Sequence, residues 1–268
     1  MGGPGSSDLG AAVVLEAMID RMEVLSRRIE SCGRDPKDVQ VVAVTKGMPA
    51  ATIVTALRAG LSEIGENYAS ELLAKASDLS GASAWTKEGG SDADEDDLEA
   101  SEDDLRVAHG DKPEDQRWTT VPRWHYLGAI QRRRVKLLAP LVSCWQSVSR
   151  AVEGKEIAAH ARGAGVFVQI NVDGAPGRNG CRPDEARGLV DSLRADGLNV
   201  RGLMVVAPQG PPAVADSAFG AVQDLAGQLA LAELSMGMSE DLEIALRRGS
   251  TMLRLGRSLF GPRPSEVR

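Results

Sequence analysis

Aromatic residues are scarce in this sequence, which holds only 4 Trp, 2 Tyr and 3 Phe among 268 residues. The core must therefore be built from aliphatic side chains, and an apolar share of 43% is large enough to fill it. Such a composition is typical of helices packed on a parallel sheet. The basic run at residues 132–136 has no interleaved aromatics, which argues against RNA binding and favours a solvated face or a partner for an acidic segment.

Cysteine is equally scarce, with only Cys32, Cys144 and Cys181 and no CxxC spacing between them. An odd number without such spacing argues against a disulfide framework and a zinc site, and it predicts a reducing compartment. No apolar run approaches the length that crosses a bilayer, and the first residues lack a basic segment followed by an apolar one. We therefore expect a cytoplasmic protein without membrane contact.

Negative charge is concentrated in one segment of the chain. Thirteen Asp and Glu residues and only two basic residues lie at positions 88–115, so this segment accounts for the net charge of −7. Helix and strand periodicity is also lost at residues 81–117, where Gly, Ser, Asp and Glu dominate. These patterns predict a disordered acidic insertion at 81–117 within a single domain at 9–268, preceded by a flexible tail at 1–8. An acidic interaction segment is the alternative.

The run Val41-Val42-Ala43-Val44-Thr45-Lys46 is apolar, β-branched and short, and the breakers Gly47 and Pro49 follow it. These features predict an interior parallel strand that delivers Lys46 to the rim of a sheet. An amine between apolar walls can form a Schiff base with an aldehyde. A lysine that extends its charge into water at a strand end is the alternative.

About eight strand-then-helix units follow an opening helix at residues 9–31, and polar residues gather at the carboxyl ends of the strands. The pattern predicts an α/β fold, a single (β/α)₈ TIM barrel with an extra N-terminal helix. A doubly wound sheet is the alternative, and the absence of GxGxxG after the first strand argues against it. The seventh helix is expected at 219–231, and the last strand should pair with the first. The predicted strands lie at 41–46, 61–65, 124–128, 141–145, 166–171, 200–207, 234–237 and 251–256.

The loops after the seventh and eighth strands are rich in Gly and Ser, as expected of a phosphate site in a barrel. Gly237 and Gly256 allow close backbone approach, Ser235 and Ser258 offer hydroxyls, and Arg257 offers a charge-assisted contact. Tight turns without a ligand are the alternative for each loop taken singly.

Arg254 lies on the eighth strand among apolar residues, where a buried guanidinium is costly unless it is paired. It could face the pyridine nitrogen of a cofactor and hold that nitrogen unprotonated. A structural ion pair with Glu63 or Glu243 is the alternative. Further candidates for the rim are Asn67, His125 and Asn171, although we assign His125 no role.

Taken in order, the motifs resemble those of the pyridoxal phosphate homeostasis protein family, also called the YggS or proline synthetase co-transcribed family. The resemblance runs from the opening helix to Gly261 and is interrupted only by the acidic insertion. The motifs that carry it are Val42-Ala43-Val44-Thr45-Lys46, Ile64-Gly65-Glu66-Asn67-Tyr68, Trp124-His125-Tyr126-Leu127-Gly128 with Gln131, Arg201-Gly202-Leu203-Met204, Leu234-Ser235-Met236-Gly237-Met238-Ser239, and Gly249-Ser250-Thr251-Met252 with Arg254, Gly256 and Phe260-Gly261.

This resemblance implies a barrel like the N-terminal domain of alanine racemase, with pyridoxal phosphate held as a Schiff base on Lys46. It also implies that Ser235, Gly256 and residue 257 hold the phosphate and that Arg254 approaches the ring nitrogen. Arg257 departs from the Thr or Ser that the family usually has. The predicted cofactor-binding residues are Lys46, Asn67, Ser235, Gly237, Arg254, Gly256 and Arg257.

The resemblance further implies a carrier or regulator of vitamin B6 and amino-acid pools without established turnover, acting as a monomer or weak dimer, with apo enzymes as clients. The rival prediction is an amino-acid racemase or a related enzyme. A two-base racemase of this fold needs a second base, usually a Tyr from a C-terminal domain. This chain stops at Arg268 and has only Tyr68 and Tyr126, so we expect no such base.

Overall fold

Eight parallel strands close into a barrel in the computed structural model, which describes residues 6–80 and 121–261. Each strand pairs with its neighbours in sequence order, and the predicted (β/α)₈ architecture is confirmed. The expected acidic insertion at 81–117 and residues 1–5 of the expected tail lie outside the described residues. The strands are β1 (Gln40–Val44), β2 (Glu63–Glu66), β3 (Arg123–Tyr126), β4 (Val142–Val148), β5 (Gly165–Ile170), β6 (Asn199–Val205), β7 (Glu233–Ser235) and β8 (Met252–Leu255).

Helices follow the strands around the outside of the barrel, with 3₁₀ turns at Pro36–Asp38 and Pro183–Glu185. None of the helices within residues 6–80 and 121–261 combines the length and apolar character needed to span a membrane. The helices are α1 (Ser6–Ser31), α2 (Ala50–Arg58), α3 (Ala69–Ser80), α4 (Arg132–Leu138), α5 (Ala151–His160), α6 (Ala186–Ala195), α7 (Pro212–Gln228), α8 (Leu242–Arg247) and α9 (Arg257–Phe260).

Two helices begin earlier than the sequence predicts. The α7 helix starts at Pro212, seven residues before the expected position 219. Proline has no N–H to donate, but the first turn of a helix leaves its N–H groups without intrahelical partners, so the Pro-rich segment is compatible with a helix start. The α1 helix starts at Ser6, so that three residues of the expected tail at 1–8 are helical.

Closure of the barrel pairs its first and last strands. Val42 of β1 lies opposite Arg254 of β8, and Ala43 lies opposite Leu255, while Ala43 also pairs with Ile64 of β2 on the other side. The expectation that Lys46 lies beside residues from the end of the chain is therefore confirmed.

The interior of the barrel combines a small apolar cluster with buried polar side chains. A larger apolar cluster combines side chains of the strands and of the helices, whereas the interior cluster is formed by Val42, Cys144, Phe167, Met204 and Met252. Burial in this cluster raises the pKa of the Cys144 thiol to about 12 and so keeps it protonated. Four buried polar residues share the interior with this cluster, namely His125, Gln146, Ser235 and Arg254.

Candidate functional site

A cavity of about 440 Å³ opens at the carboxyl ends of the strands, the face on which TIM-barrel enzymes carry their active sites. Its volume lies within the range of roughly 300–1,000 Å³ that is common for small-molecule pockets. Its lining includes apolar side chains as well as charged and hydroxyl side chains. The lining residues are Val44, Lys46, Met48, Asn67, Leu127, Met204, Val206, Met238, Ser239, Glu240, Asp241, Arg254, Gly256 and Arg257.

Lys46 enters this cavity from the turn that follows β1. The strand ends at Val44, and the Met48 N–H donates to the Thr45 carbonyl at 2.9 Å, which closes the turn around Lys46. The side chain is half-buried and lies beside the apolar residues Val44 and Met48. The structure therefore places the predicted amine at the rim of the barrel, in the wall of its cavity.

A buried polar cluster, here called the Lys75 cluster and formed by Thr45, Glu66, Glu71 and Lys75, supports this turn. Lys75 Nζ donates to the Thr45 carbonyl at 2.8 Å, to Glu66 Oε1 at 2.6 Å and to Glu71 Oε2 at 2.9 Å. Thr45 Oγ1 also donates to Glu66 Oε1 at 2.6 Å, and the Gly47 N–H donates to Glu71 Oε2. The backbone on both sides of Lys46 is thus tied to α3 and β2.

The Glu66 carboxyl accepts two of the hydrogen bonds of the Lys75 cluster, both at Oε1. It is fully buried, and among the described residues its Oε2 atom has no hydrogen-bond partner. Burial raises the pKa of Glu66 above its usual value, although the hydrogen bonds from Lys75 and Thr45 act in the opposite direction. The carboxylate form of Glu66 therefore depends on Lys75.

Arg254 lines the cavity from β8, and backbone carbonyls hold its guanidinium group. Nη1 donates to the Ser235 carbonyl at 2.6 Å and to Ser235 Oγ at 2.7 Å, and Nη2 donates to the Val205 carbonyl at 2.7 Å. Burial lowers the pKa of Arg254 to about 10, which still leaves it cationic at neutral pH.

The alternative of an ion pair between Arg254 and Glu63 or Glu243 is wrong. Glu63 accepts from His125 and lies 3.3 Å from Arg123, and Glu243 accepts from Arg28 on α1. Within residues 6–80 and 121–261, no carboxylate lies within ion-pair distance of the Arg254 guanidinium.

The loops after β7 and β8 meet at the cavity and contribute to its lining. The Ser258 N–H donates to Ser239 Oγ at 3.2 Å, which joins the two loops, and Gly256 precedes the first turn of α9. Arg257 Nη2 donates to Glu240 Oε1 at 2.5 Å, and both of these side chains are largely exposed. A hydroxyl, a glycine backbone and a guanidinium therefore line the same wall, a donor set that suits a phosphate group.

Two of the predicted residues lie behind the cavity wall. Ser235 is fully buried, and its hydroxyl donates to Gln146 Oε1 at 2.6 Å while it accepts from Arg254. Gly237 has a φ of 99°, and a Cβ atom there would lie 2.6 Å from the Ala245 Cβ atom, so it serves the packing of α8. Ser239 is the serine of this loop that lines the cavity. The role of Ser235 in holding a phosphate stays a prediction.

Asn67, which the sequence places after the second strand, lines the cavity, and its position depends on Gly128. A Cβ atom at residue 128 would lie 1.8 Å from the Asn67 carbonyl oxygen, so only glycine allows this close approach of the loops after β2 and β3. The other rim candidates lie elsewhere: His125 is buried inside the barrel, and Asn171 donates to carbonyls of its own loop.

The chain matches the model of the alanine racemase N-terminal domain over residues 13–264. It is also 31% identical over 243 residues to the pyridoxal phosphate homeostasis protein of Pseudomonas aeruginosa, an alignment that covers 87% of this chain and 89% of that protein. The chain belongs to the pyridoxal phosphate homeostasis protein family. The family member of the mouse is 28% identical over 287 residues, with 98% of this chain and 90% of that protein covered.

Solved structures of similar fold include PipY of Synechococcus elongatus. This chain is 26% identical to PipY, with a TM-score of 0.69 for the structure without pyridoxal phosphate and 0.65 for the structure with it bound. Both comparisons cover 91% of this chain and 100% of PipY. The lysine decarboxylase of Selenomonas ruminantium, at 14% identity, a TM-score of 0.58, and coverage of 91% of this chain and 60% of that chain, shares the fold alone.

Sequence reasoning missed several residues of this family member's site. Met204 and Val206 were assigned only to a strand, although the last residues of a barrel strand are expected to reach the carboxyl-end face. Glu240 and Asp241 follow the Gly/Ser loop, and only the folded loop brings them to the cavity. Lys75 carried no signal at all, because one lysine within a helix usually lies in solvent.

Proposed function

We propose that this chain binds pyridoxal phosphate, holds it covalently through Lys46, and serves vitamin B6 homeostasis without catalytic turnover. The observation that carries the proposal is the position of Lys46 in one cavity with Arg254 and the loop residues Ser239 and Gly256. Pyridoxal phosphate, when bound, supplies an aldehyde that condenses with an amine and a pyridine ring that withdraws electrons.

The residues of the cavity fit each part of this cofactor. Lys46 is the amine that the aldehyde requires, and Val44 and Met204 offer apolar surface to the ring. Ser239, Gly256 and Arg257 line the same cavity and would hold the phosphate. Arg254 would contact the ring nitrogen and, as a cation, would disfavour its protonation.

The proposed function without turnover is supported by the positions of the two tyrosines. Tyr68 is 58% exposed, and the Tyr126 hydroxyl donates to the Ala129 carbonyl at 3.3 Å. Within the part of the chain that the structure describes, neither lines the cavity, so neither is placed to act as the second base of a racemase.

We further propose apo enzymes as recipients of the cofactor and a monomer or weak dimer as the working form. We propose the cytoplasm as the location, because the three free thiols suit a reducing compartment.

A spectrum of the purified full chain mixed with pyridoxal phosphate tests the proposed function. We expect a new absorption band, distinct from that of the free cofactor. Borohydride should reduce the Schiff base behind this band to a stable adduct. Mass spectrometry of the digested protein should then find the adduct on the peptide that contains Lys46. A protein saturated with the cofactor that shows neither band nor adduct would contradict the proposal, and racemisation of a single L-amino acid would favour the rival enzyme.

Arg257 should contribute modestly to phosphate binding because its side chain is 58% exposed and already paired with Glu240. We expect Arg257→Ala to weaken pyridoxal phosphate binding by roughly three- to tenfold at low salt, since exposed charge pairs contribute about 0.2–1 kcal/mol and a charge-assisted hydrogen bond somewhat more. The loss should shrink in high salt. Equilibrium titration of the absorption band measures it.

Two comparisons make the Arg257 test specific. Pyridoxal, which lacks the phosphate, should bind equally to the wild type and to Arg257→Ala. Arg133→Ala removes an arginine at an exposed position on α4 and should leave the affinity for pyridoxal phosphate unchanged. Equal affinity of the wild type and Arg257→Ala for pyridoxal phosphate at low salt would refute a contact between Arg257 and the phosphate.

A further inference from the structure

A chain of four hydrogen bonds crosses the interior of the barrel from Arg254 to Glu63. Arg254 Nη1 donates to Ser235 Oγ at 2.7 Å, and Ser235 Oγ donates to Gln146 Oε1 at 2.6 Å. Gln146 Nε2 lies 2.6 Å from His125 Nδ1, and His125 Nε2 lies 2.6 Å from Glu63 Oε2. We call these five residues the interior chain; it links β8 and β7 to β4, β3 and β2.

The direction of every bond in the interior chain follows from its neighbours. Gln146 Nε2 also donates to the Met252 sulfur at 3.1 Å, and a thioether can only accept, so the amide nitrogen faces Met252 and His125. The Nδ1 atom of His125 therefore accepts, and its Nε2–H donates to the Glu63 carboxylate. The dipoles are aligned from end to end, with an acceptor facing the Arg254 cation and a donor facing the Glu63 anion.

The aligned dipoles of the interior chain help to stabilise the buried positive charge of Arg254. Arg254 is a buried cation whose described hydrogen-bond partners are two carbonyls and one hydroxyl, all uncharged. The Asp241 carboxylate, which lines the same cavity, favours the cation through its charge but is not among these partners. A buried charge is costly unless it is compensated, and aligned hydrogen bonds strengthen one another in a medium of low dielectric constant. Burial favours protonation of Glu63, but the hydrogen bond from His125 and the charge of Arg123 hold the pKa of its carboxyl below the usual value.

We propose that Gln146 and His125 are positioning residues, which orient the Ser235 hydroxyl as an acceptor and so hold the Arg254 guanidinium against the ring of bound pyridoxal phosphate. This inference rests on the proposed function. His125 and Gln146 do not line the cavity; they act on the cofactor only through Ser235 and Arg254.

The experiment is a pH titration of the absorption band of the loaded full-length protein. A nearby cation lowers the pKa of the ring nitrogen, which is cationic when protonated. Loosening Arg254 should therefore raise, by about 0.5–1 unit, the pKa of the absorbance transition that reports protonation of the ring nitrogen. Gln146→Met keeps the approximate shape of the side chain but offers Ser235 no amide acceptor, and we expect this rise.

Gln169→Met is the matched control, because Gln169 is a buried glutamine of the adjacent strand β5 whose side chain, among the described residues, bonds Asn179 and no member of the interior chain. It should leave the absorbance transition unchanged. His125→Phe is the second variant and should shift the transition in the same direction as Gln146→Met, which keeps the test decisive if Gln146→Met does not fold.

The outcomes separate the inference from the function on which it rests. A wild type that never acquires a band overturns the proposed function and this inference with it. A wild type with a band, and variants at Gln146 and His125 that titrate like the wild type, overturn the inference alone. A shift of the same size in Gln169→Met would show a general effect of lost packing and would also overturn it.

Discussion

Lys46→Ala should lose the absorption band of the bound cofactor completely. Without the amine, no covalent bond can form with the aldehyde of pyridoxal phosphate, and borohydride should leave no adduct on the protein. The remaining contacts of the cavity, made by residues such as Ser239, Gly256 and Arg254, can still bind the cofactor reversibly. We therefore expect a protein that folds, binds pyridoxal phosphate more weakly, and releases it on gel filtration.

Two further variants define the role of Lys46. Lys46→Arg retains a positive charge but lacks the nucleophilic amine, and it should lose the band as Lys46→Ala does. Lys155→Ala removes an exposed lysine of α5 and should leave both the band and the adduct intact. An adduct trapped by borohydride in Lys46→Ala would contradict the prediction and show that another lysine forms the covalent bond.

Lys75→Met should be the most destabilising single substitution near the site. It leaves the fully buried Glu66 without its cationic partner, and breaking a buried ion pair from one side costs about 3–5 kcal/mol. It also removes the donor to the Thr45 carbonyl, so the turn that carries Lys46 should loosen. Chemical denaturation of wild type and variant measures the free energy of unfolding.

The loss in Lys75→Met should depend on pH in a defined direction. Burial already raises the pKa of Glu66, and without Lys75 it rises further. A carboxyl whose pKa is higher in the folded state penalises folding above that pKa and ceases to do so below its unfolded pKa. Acidification from pH 7 towards pH 5 should therefore shrink the difference in stability between wild type and variant.

A second substitution tests this explanation of the Lys75 effect. Glu66→Gln in the Lys75→Met background removes the buried charge, and it should recover stability at pH 7 and abolish the pH dependence. A deficit in Lys75→Met that is equal at pH 5 and pH 7 would show that the pKa of Glu66 is not its cause.

The sequence was sufficient to predict the barrel because its signals are local and repeated. Each short β-branched run followed by a helical segment marks one unit, and the number of units determines the closure that pairs Val42 with Arg254. The position of Lys46 followed from the same signals, since it is the first residue after an apolar run.

The details that the sequence did not supply depend on where a strand ends and on packing between distant elements. Ser235 and Ser239 are chemically equivalent in the sequence, yet β7 ends at Ser235, whose side chain lies inside the barrel, and only Ser239 reaches the cavity. The carbonyls that hold Arg254 belong to β6 and β7, and a sequence pattern does not reveal which carbonyls a side chain will reach. The sequence likewise does not reveal that the Lys75 amine contacts the buried Glu66 carboxyl.

Closure of the barrel through β1 and β8 has a consequence for the order of events during synthesis. Lys46 leaves the ribosome well before Arg254 and Gly256, which belong to the last strand of the barrel and to the loop after it. A nascent chain without β8 has the amine but neither the proposed ring contact nor the second loop proposed to hold the phosphate, so we expect tight cofactor capture to wait for the final strand to dock. A ligand that binds only the native state then stabilises the completed barrel selectively and leaves truncated chains unprotected.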